Sequence, residues 1–394
     1  MNQVVILGAS RTPIGDFQGA LKDLSAIDLA MTAVQSALER SALSANLVDE
    51  VAMGMIYKQG LKGNPARQVQ LRCGMPASGW AHTVDQQCAS GMRAFENILR
   101  SIQAGVSSAG VAAGAESMSN APYVLMRARG GYRMGDGALV DSMLNDGLVC
   151  AMEGTHMGVT AENLARQYGI TRQEQDELAV LSHRRAARAV QQGIFADEIV
   201  SVPVKTRQGE VFVTEDEHPR PDLTTEKLSR LRPAFLEDGA VTAGNASSIN
   251  DGAAALVLAE EGQAKLWGLP PLSRVLAVAN AGVDPSVMGI GPVYAIQKAL
   301  KMTGLDLRDI GCFEINEAFA AQFIACNREL KLDMELVNQN GSGIGLGHPV
   351  GCTGARILVS LVYQMRRIGC RYGVAALCVG GGPAMAVVLE RVEQ

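Results

Sequence analysis

The chain has 394 residues, is 47% hydrophobic and carries a formal net charge of −5. That length exceeds one ordinary domain and holds apolar residues for more than one core. The mild acidity excludes a broad cationic surface, so nucleic acid and anionic lipid are excluded as main partners and any basic chemistry is local.

The first residues Val4, Val5, Ile6 and Leu7 predict a buried strand, without the charged-then-apolar head of a signal peptide or an Arg-rich transit segment. No apolar run approaches the roughly 20 residues of a membrane helix. The last residues, Arg391, Val392, Glu393 and Gln394, differ from the peroxisomal tripeptide. Eight cysteines are scattered without a Cys-x-x-Cys pair, so neither a zinc site nor a disulfide framework is expected. Reduced thiols in a cytoplasmic protein fit this usage.

An internal duplication dictates the expected architecture. Ala33, Gln35, Ala37, Leu38 and Leu43 recur as Ala295, Gln297, Ala299, Leu300 and Leu305, an offset of 262 (295 − 33). Ser90, Gly91 and Arg93 align with Thr353, Gly354 and Arg356, and the run from Gly110 to Ala113 with that from Gly373 to Ala376, both at 263 (353 − 90; 373 − 110). So constant a register is not a coincidence of common residues. It predicts two related α/β halves, each a strand, a helix, a strand, a turn-to-helix element and another apolar strand. The expected division is 1–120 with 250–267 as the first half, 121–249 as an insertion, and 268–394 as the second half. In the insertion, Thr171 and Glu174 form a capping box for a helix through Leu178, Leu181, Ala186 and Val190 to Gly193. The charged, Pro-punctuated stretch 205–238 predicts surface loops with short strands.

Four elements carry chemistry. Cys88 stands where a helix through Phe95, Ile98, Leu99 and Ile102 begins, and the partial positive charge there is expected to lower the thiol pKa and to hold a developing oxyanion. A lone cysteine is usually a small buried hydrophobe. The duplication argues otherwise, because Gly351 opens the equivalent turn just after His348, so pseudo-symmetry brings the two helix starts together. A glycine run around one histidine lets backbone approach a ligand, and an imidazole near Cys88 activates it. Cys378 ends an apolar strand and aligns with Ala115, and the triple glycine after Val379 offers backbone N–H groups to a second oxyanion. Asn316 follows the strand 312–315, where its amide holds a water or an oxyanion, or simply caps a helix. No glycine run matches an NTP or dinucleotide fingerprint. Two thiols, one imidazole and two oxyanion donors suit thioester exchange with removal of a proton beside a carbonyl.

Seven segments in order resemble the thiolase family across essentially the whole chain: Cys88-x-Ser-Gly, Gly114-Ala-Glu-Ser-Met-Ser119, His156-Met-Gly158, Gly244-Asn-Ala-Ser247 with Asn250-Asp-Gly252, Asn316-Glu-Ala-Phe319, Gly347-His-Pro349 and Cys378-x-Gly-Gly-Gly382. The resemblance implies a thiolase fold: two duplicated α/β halves in a five-layered αβαβα core, with an inserted CoA-binding loop domain. It implies a reversible reaction of a 3-oxoacyl-CoA with CoA, in which Cys88 is acylated, His348 activates it and Cys378 is the acid/base at the α-carbon. Asn316, through a water, and His348 would hold one thioester oxygen, and the N–H groups of Cys88 and Gly380 the other. By the same resemblance Leu148, His156, Met157, Arg220, Phe235, Ala243, Ser247, Met288, Ala318 and Phe319 line the CoA and acyl tunnel. Met157 and Met288 also read as core filler and Arg220 as a solvated loop charge, while Glu116 and Glu317 read as structural acids.

No permanent cofactor is implied, with CoA and acyl-CoA as substrates. A homodimer or homotetramer is expected, and a small zinc-ribbon partner protein, which some thiolase-like chains use, is neither indicated nor excluded. Asp85, Ala89 and Thr155 depart from the commonest family pattern. The small Thr155 is expected to widen the acyl pocket for bulkier aromatic or carboxylated groups. Two rivals are a noncatalytic CoA or lipid carrier, which has no need of the retained nucleophile, and a ketoacyl synthase, which normally uses two histidines and lacks the Cys378 turn.

Overall fold

The computed structural model describes residues 2–393. Its first half contains β1 (Val4–Arg11), α1 (Ala26–Ser41), β2 (Glu50–Gly54), β3 (Trp80–Val84), α2 (Ser90–Gln103), β4 (Ala109–Ser117) and, after a long excursion, β5 (Asn250–Glu260). The excursion carries α3 (Met157–Tyr168), α4 (Arg172–Gln191) and two hairpins, Tyr123–Leu125 with Leu139–Asp141 and Val202–Thr206 with Gly209–Val213. The second half contains β6 (Ser273–Gly282), α5 (Gly291–Thr303), β7 (Cys312–Ile315), α6 (Ala320–Leu330), α7 (Val350–Ile368), β8 (Tyr372–Cys378) and β9 (Pro383–Arg391).

One hydrogen-bonded sheet runs in the order β7-β8-β9-β6-β1-β5-β4-β2-β3. Outward from the centre, β1-β5-β4-β2 and β6-β9-β8-β7 repeat the same chain order, as the duplication predicts. The two half-sheets pair where β1 meets β6, at Val5↔Arg274 and Ile6↔Ser273. Helices α2 and α7 pack on each other between the halves, with α7 touching β4 and β5 on one side and β7 and β8 on the other. Helix α1 covers the outer face of the first half and α5 that of the second, which gives layers α-β-α-β-α. Because both faces of the sheet are covered, β1, β4 and β8 read as nearly continuous apolar or small residues.

Glycines set how closely the middle layer approaches. A Cβ on Gly91 would lie 2.7 Å from Ala355 N, and one on Gly354 would lie 2.5 Å from Met92 N, so α2 and α7 cross in backbone contact. A Cβ on Gly114 of β4 would lie 2.7 Å from Gly351 O. The starts of α2 and α7 are thereby held against each other and against the sheet.

The capping box of α4 forms as expected, Thr171 accepting from Glu174 N, and the helix ends at Gln191 before Gly193 at φ 66°. The stretch 205–238 contains, beside its hairpin strands, a short helix Thr225–Ser229 whose single turn has no periodicity to announce it. Arg11 of β1 is fully buried and clasps Glu198 at 2.6 Å and Asp216 at 2.7 Å, which ties the excursion to the core. Among the described residues no helix is long and apolar enough to cross a membrane, and no group of His, Cys, Asp or Glu is placed to hold a metal ion.

Candidate active site

Cys88 lies two residues before α2, in a turn that Asp85 closes by accepting from Gln87 N at 3.0 Å. Gln87 sits at φ 50°, a left-handed conformation costly for a side chain with a Cβ. This is a tight elbow that presents the next residue. The backbone N–H groups of Gly380 and of Cys88 itself favour the thiolate. Burial outweighs them and pushes the thiol up to about 11. The expectation that the helix start lowers this pKa is thus corrected: the site removes too much water for two N–H groups to offset.

His348 lies two residues before α7 and is held at three points. Its N–H donates to Asn250 Oδ1 at 2.9 Å, its Nδ1 lies 2.6 Å from Thr353 Oγ1, and Pro349 fixes the turn into the helix. Thr353 Oγ1 also lies 3.0 Å from Pro349 O, which can only accept. The single hydroxyl proton goes there, so Thr353 accepts from Nδ1–H, and Nε2 carries the free lone pair. Nε2 is buried with no protein partner. Burial, aided by the Arg356 charge, pushes the imidazole down to about 3, so it is neutral.

Asn316 is fully buried at the end of β7, and neither atom of its amide has a protein hydrogen-bond partner. Together with Nε2 of His348 it leaves donors and an acceptor for a water or an oxygen of a reacting group. Cys378 ends β8, and burial, with the nearby Cys88 thiol adding, raises its pKa well above that of a free thiol. Both sulfurs are therefore protonated at rest. A Cβ on Gly380 would lie 2.2 Å from Met157 Cε, so a side chain there would have to displace that methyl.

A cavity of about 510 Å³ has His348 in its wall. Of the tunnel residues expected from the sequence, Leu148, His156, Arg220, Phe235, Ala243, Ser247 and Phe319 line it. His156 stacks on Phe235 at 4.5 Å, and Phe235 meets Phe319 edge-on at 6.0 Å. Met157, Met288 and Ala318 do not line it and are buried in the second half's core, Ala318 accepting from Ser247 N at 2.9 Å. Cys88, Cys378, Asn316 and Gly380 are likewise off its lining. Thr155 is exposed and off the cavity, so the expected widening of an acyl pocket by that residue is not met.

Several residues escaped sequence reasoning. Asn250, seen only within a motif, links His348 N to Gly15 O and to Asp16 Oδ1. Thr353 announces itself only as the repeat partner of Ser90. Asp16 and His218, 2.6 Å apart, and Met118, Ile249 and Val350 also line the cavity. The two acids read as structural do anchor backbone or neighbours. Glu116 accepts from Ile56 N, Tyr57 N and Gly351 N. Glu317 accepts from Ser182 Oγ and Asn338 Nδ2.

Two buried thiols from opposite halves, a neutral imidazole in the wall of an apolar cavity and a buried amide with unpaired atoms define an enzyme that handles thioesters through a cysteine. Family models described as the thiolase N-terminal and C-terminal domains match residues 4–262 and 269–391. The chain is 51% identical over 393 residues to an acetyl-CoA acetyltransferase of Escherichia coli K12, covering 100% of both chains. It superposes at TM-score 0.98 on an acetyl-CoA acetyltransferase of Syntrophomonas wolfei, 46% identical and covered in full on both sides. A human mitochondrial 3-ketoacyl-CoA thiolase solved in complex with CoA matches at TM-score 0.95 and 40% identity, over 99% of this chain and 98% of that one. The chain belongs to the thiolase family. It is an acyltransferase of the thiolase reaction.

Proposed function

We propose that the chain transfers an acyl group reversibly between a 3-oxoacyl-CoA and CoA through an S-acyl intermediate on Cys88, with the acetyl group as the unit removed or added. The observation that supports this best is the burial, near each other, of two protonated thiols from opposite halves in a chain whose His348 keeps a free Nε2 lone pair. In thiolysis His348 Nε2 takes the Cys88 proton as sulfur attacks the 3-oxo carbonyl. The imidazolium N–H and the Asn316 amide, through a water, stabilise one oxyanion. The C2–C3 bond then breaks, Cys378 gives its proton to the departing enolate, and acetyl-CoA leaves. The N–H groups of Cys88 and Gly380 hold the other thioester oxygen. The CoA thiol then gives its proton to the Cys378 thiolate as its sulfur attacks the S-acyl carbonyl, the bond to Cys88 breaks, and the departing Cys88 thiolate takes back its proton from the His348 imidazolium. Condensation is the same path reversed.

The segment 121–249, with residues 318–319 of the second half, forms the CoA tunnel in this reading. Leu148, His156, Phe235, Ala243, Ser247 and Phe319 grip the pantetheine arm, Arg220 meets phosphate at the mouth, and Met157, Met288 and Ala318 back the acyl end. Transfer of acetyl is favoured by the names that the bacterial relatives carry. The enzyme is placed in the cytoplasm as a homodimer or homotetramer without a permanent cofactor. A panel of 3-oxoacyl-CoA substrates assayed for thiolysis tests the reading: acetoacetyl-CoA is expected to turn over fastest, and no turnover of any member would sink it.

A further inference from the structure

A second cavity, of about 400 Å³, shares no lining residue with the first and is bounded by α4, the C-terminal turn of α7 and the segment 335–340. Two of its walls carry arginine: Arg184, Arg185 and Arg188 stand on one face of α4, and Arg367 faces them from α7. A charge run on a helix is ordinarily a solvated face, and like charges four residues apart, as at 184 and 188, cost a few tenths of a kcal/mol. Here the run is turned into a concavity and met by a fourth guanidinium from another helix. The only acid in the lining is Glu335, 3.5 Å from Arg185 with its own side chain 87% exposed.

Two kinds of arginine are present. Arg185 is buried and fully engaged at its tip, donating to Val337 O at 2.7 Å and Met334 O at 2.8 Å, so it fixes the wall. Arg188 spends one donor on Gln339 O at 2.9 Å, and Arg367 spends two, on Gln364 Oε1 and Ile194 O, each at 2.6 Å. Arg184 has no hydrogen-bond or ion-pair partner among the described residues and lines the cavity. A guanidinium presents five N–H donors, so most of the donors of Arg184 and Arg188 and part of those of Arg367 remain directed to the opening. A planar fork of this kind matches phosphate oxygens in pairs. A cavity of this size holds a small molecule rather than a segment of a macromolecule.

We propose that this cavity binds a small phosphate-bearing anion, at a site separate from the CoA tunnel. Its wall is one residue from Ser182, whose Oγ accepts from Ser342 N and Gly345 N and donates to Glu317, in the glycine segment that leads to His348. The site therefore abuts the support of the catalytic imidazole without touching the catalytic groups.

The test is calorimetric titration of the intact enzyme with inorganic pyrophosphate at physiological salt, with CoA present at saturation so that the tunnel is filled. One saturable site with Kd below about 1 mM is expected. Arg184→Gln with Arg188→Gln should weaken it at least about tenfold, whereas Arg220→Gln should leave it unchanged. Both α4 side chains are exposed, and the charge-retaining Arg184→Lys, Arg188→Lys pair, which keeps the cation but loses the fork, should fall between. The assay needs no turnover, so a failed thiolysis reading leaves it intact. The proposal is overturned by no saturable heat, by an affinity indifferent to the α4 substitutions, by loss of the signal in Arg220→Gln, or by binding of heparin or anionic vesicles without pyrophosphate.

Discussion

Cys88, buried among groups that keep it protonated, cannot act until a base takes its proton, which gives the residue-level predictions their direction. Its thiol is pushed up to about 11, so below that pH the free enzyme holds it as the thiol. Alkylation by iodoacetamide should therefore still be accelerating at about pH 9, where a free cysteine with pKa near 8.5 has begun to level off. A plateau by pH 8 would contradict the burial argument. With acyl-CoA alone, peptide mapping should place the acyl group on Cys88, and His348→Ala should slow that acylation by about 10² to 10⁴. The two thiols should separate in function. Cys378→Ala incubated with acetyl-CoA in deuterated buffer is expected to acetylate Cys88 without exchanging the acetyl methyl, and wild-type exchange would remove Cys378 from its role. The candidate nucleophile and base were legible in the sequence because glycines and the repeat framed them. The sign of the Cys88 shift was not, since a helix start is visible in sequence but the water excluded around it is a property of the packed whole.

At the level of elements, the loop into α7 and the ties of β1 decide whether the site is assembled. Gly347 stands at φ 106°, and a Cβ there would lie 2.6 Å from Asn250 Cγ, the side chain that holds His348 N. Gly347→Ala should lower kcat by about tenfold or more, the size of one lost buried hydrogen bond, with KM for CoA little changed. An equal rise in KM would point to the tunnel instead. Arg11→Met leaves Glu198 and Asp216 buried without their cation, and denaturant melts should show a loss of about 3–5 kcal/mol. Strands and helices with a repeat partner were legible, as α1 with α5 and α2 with α7 attest. The excursion was legible only where it used local rules, such as the Thr171 capping box. The cavity's lining residues, such as Asp16 of the first half and His218 of the excursion, are brought together by pairings across some 200 residues (218 − 16 = 202) that no local pattern encodes.

Over the whole molecule, β3 is an edge strand with one neighbour, and its residues from Trp80 to Val84 are only partly covered. Sheet edges left this open invite pairing with another chain, in keeping with the homo-oligomer proposed here. Sedimentation velocity at working concentration should give a dimer or tetramer, and a monomer would count against it. The repeat also has a meaning for chemistry. Cys88 corresponds to Gly351 and Cys378 to Ala115 at the offset of 263 (351 − 88; 378 − 115). Two identical subunits meeting on a dyad must offer the same side chain from each side, and such a pair of thiols would compete for one task. Joining the copies in one polypeptide lifts that obligation. Each copy has a small residue where the other has sulfur, so the centre between them is asymmetric, and nucleophile and proton carrier can be distinct groups.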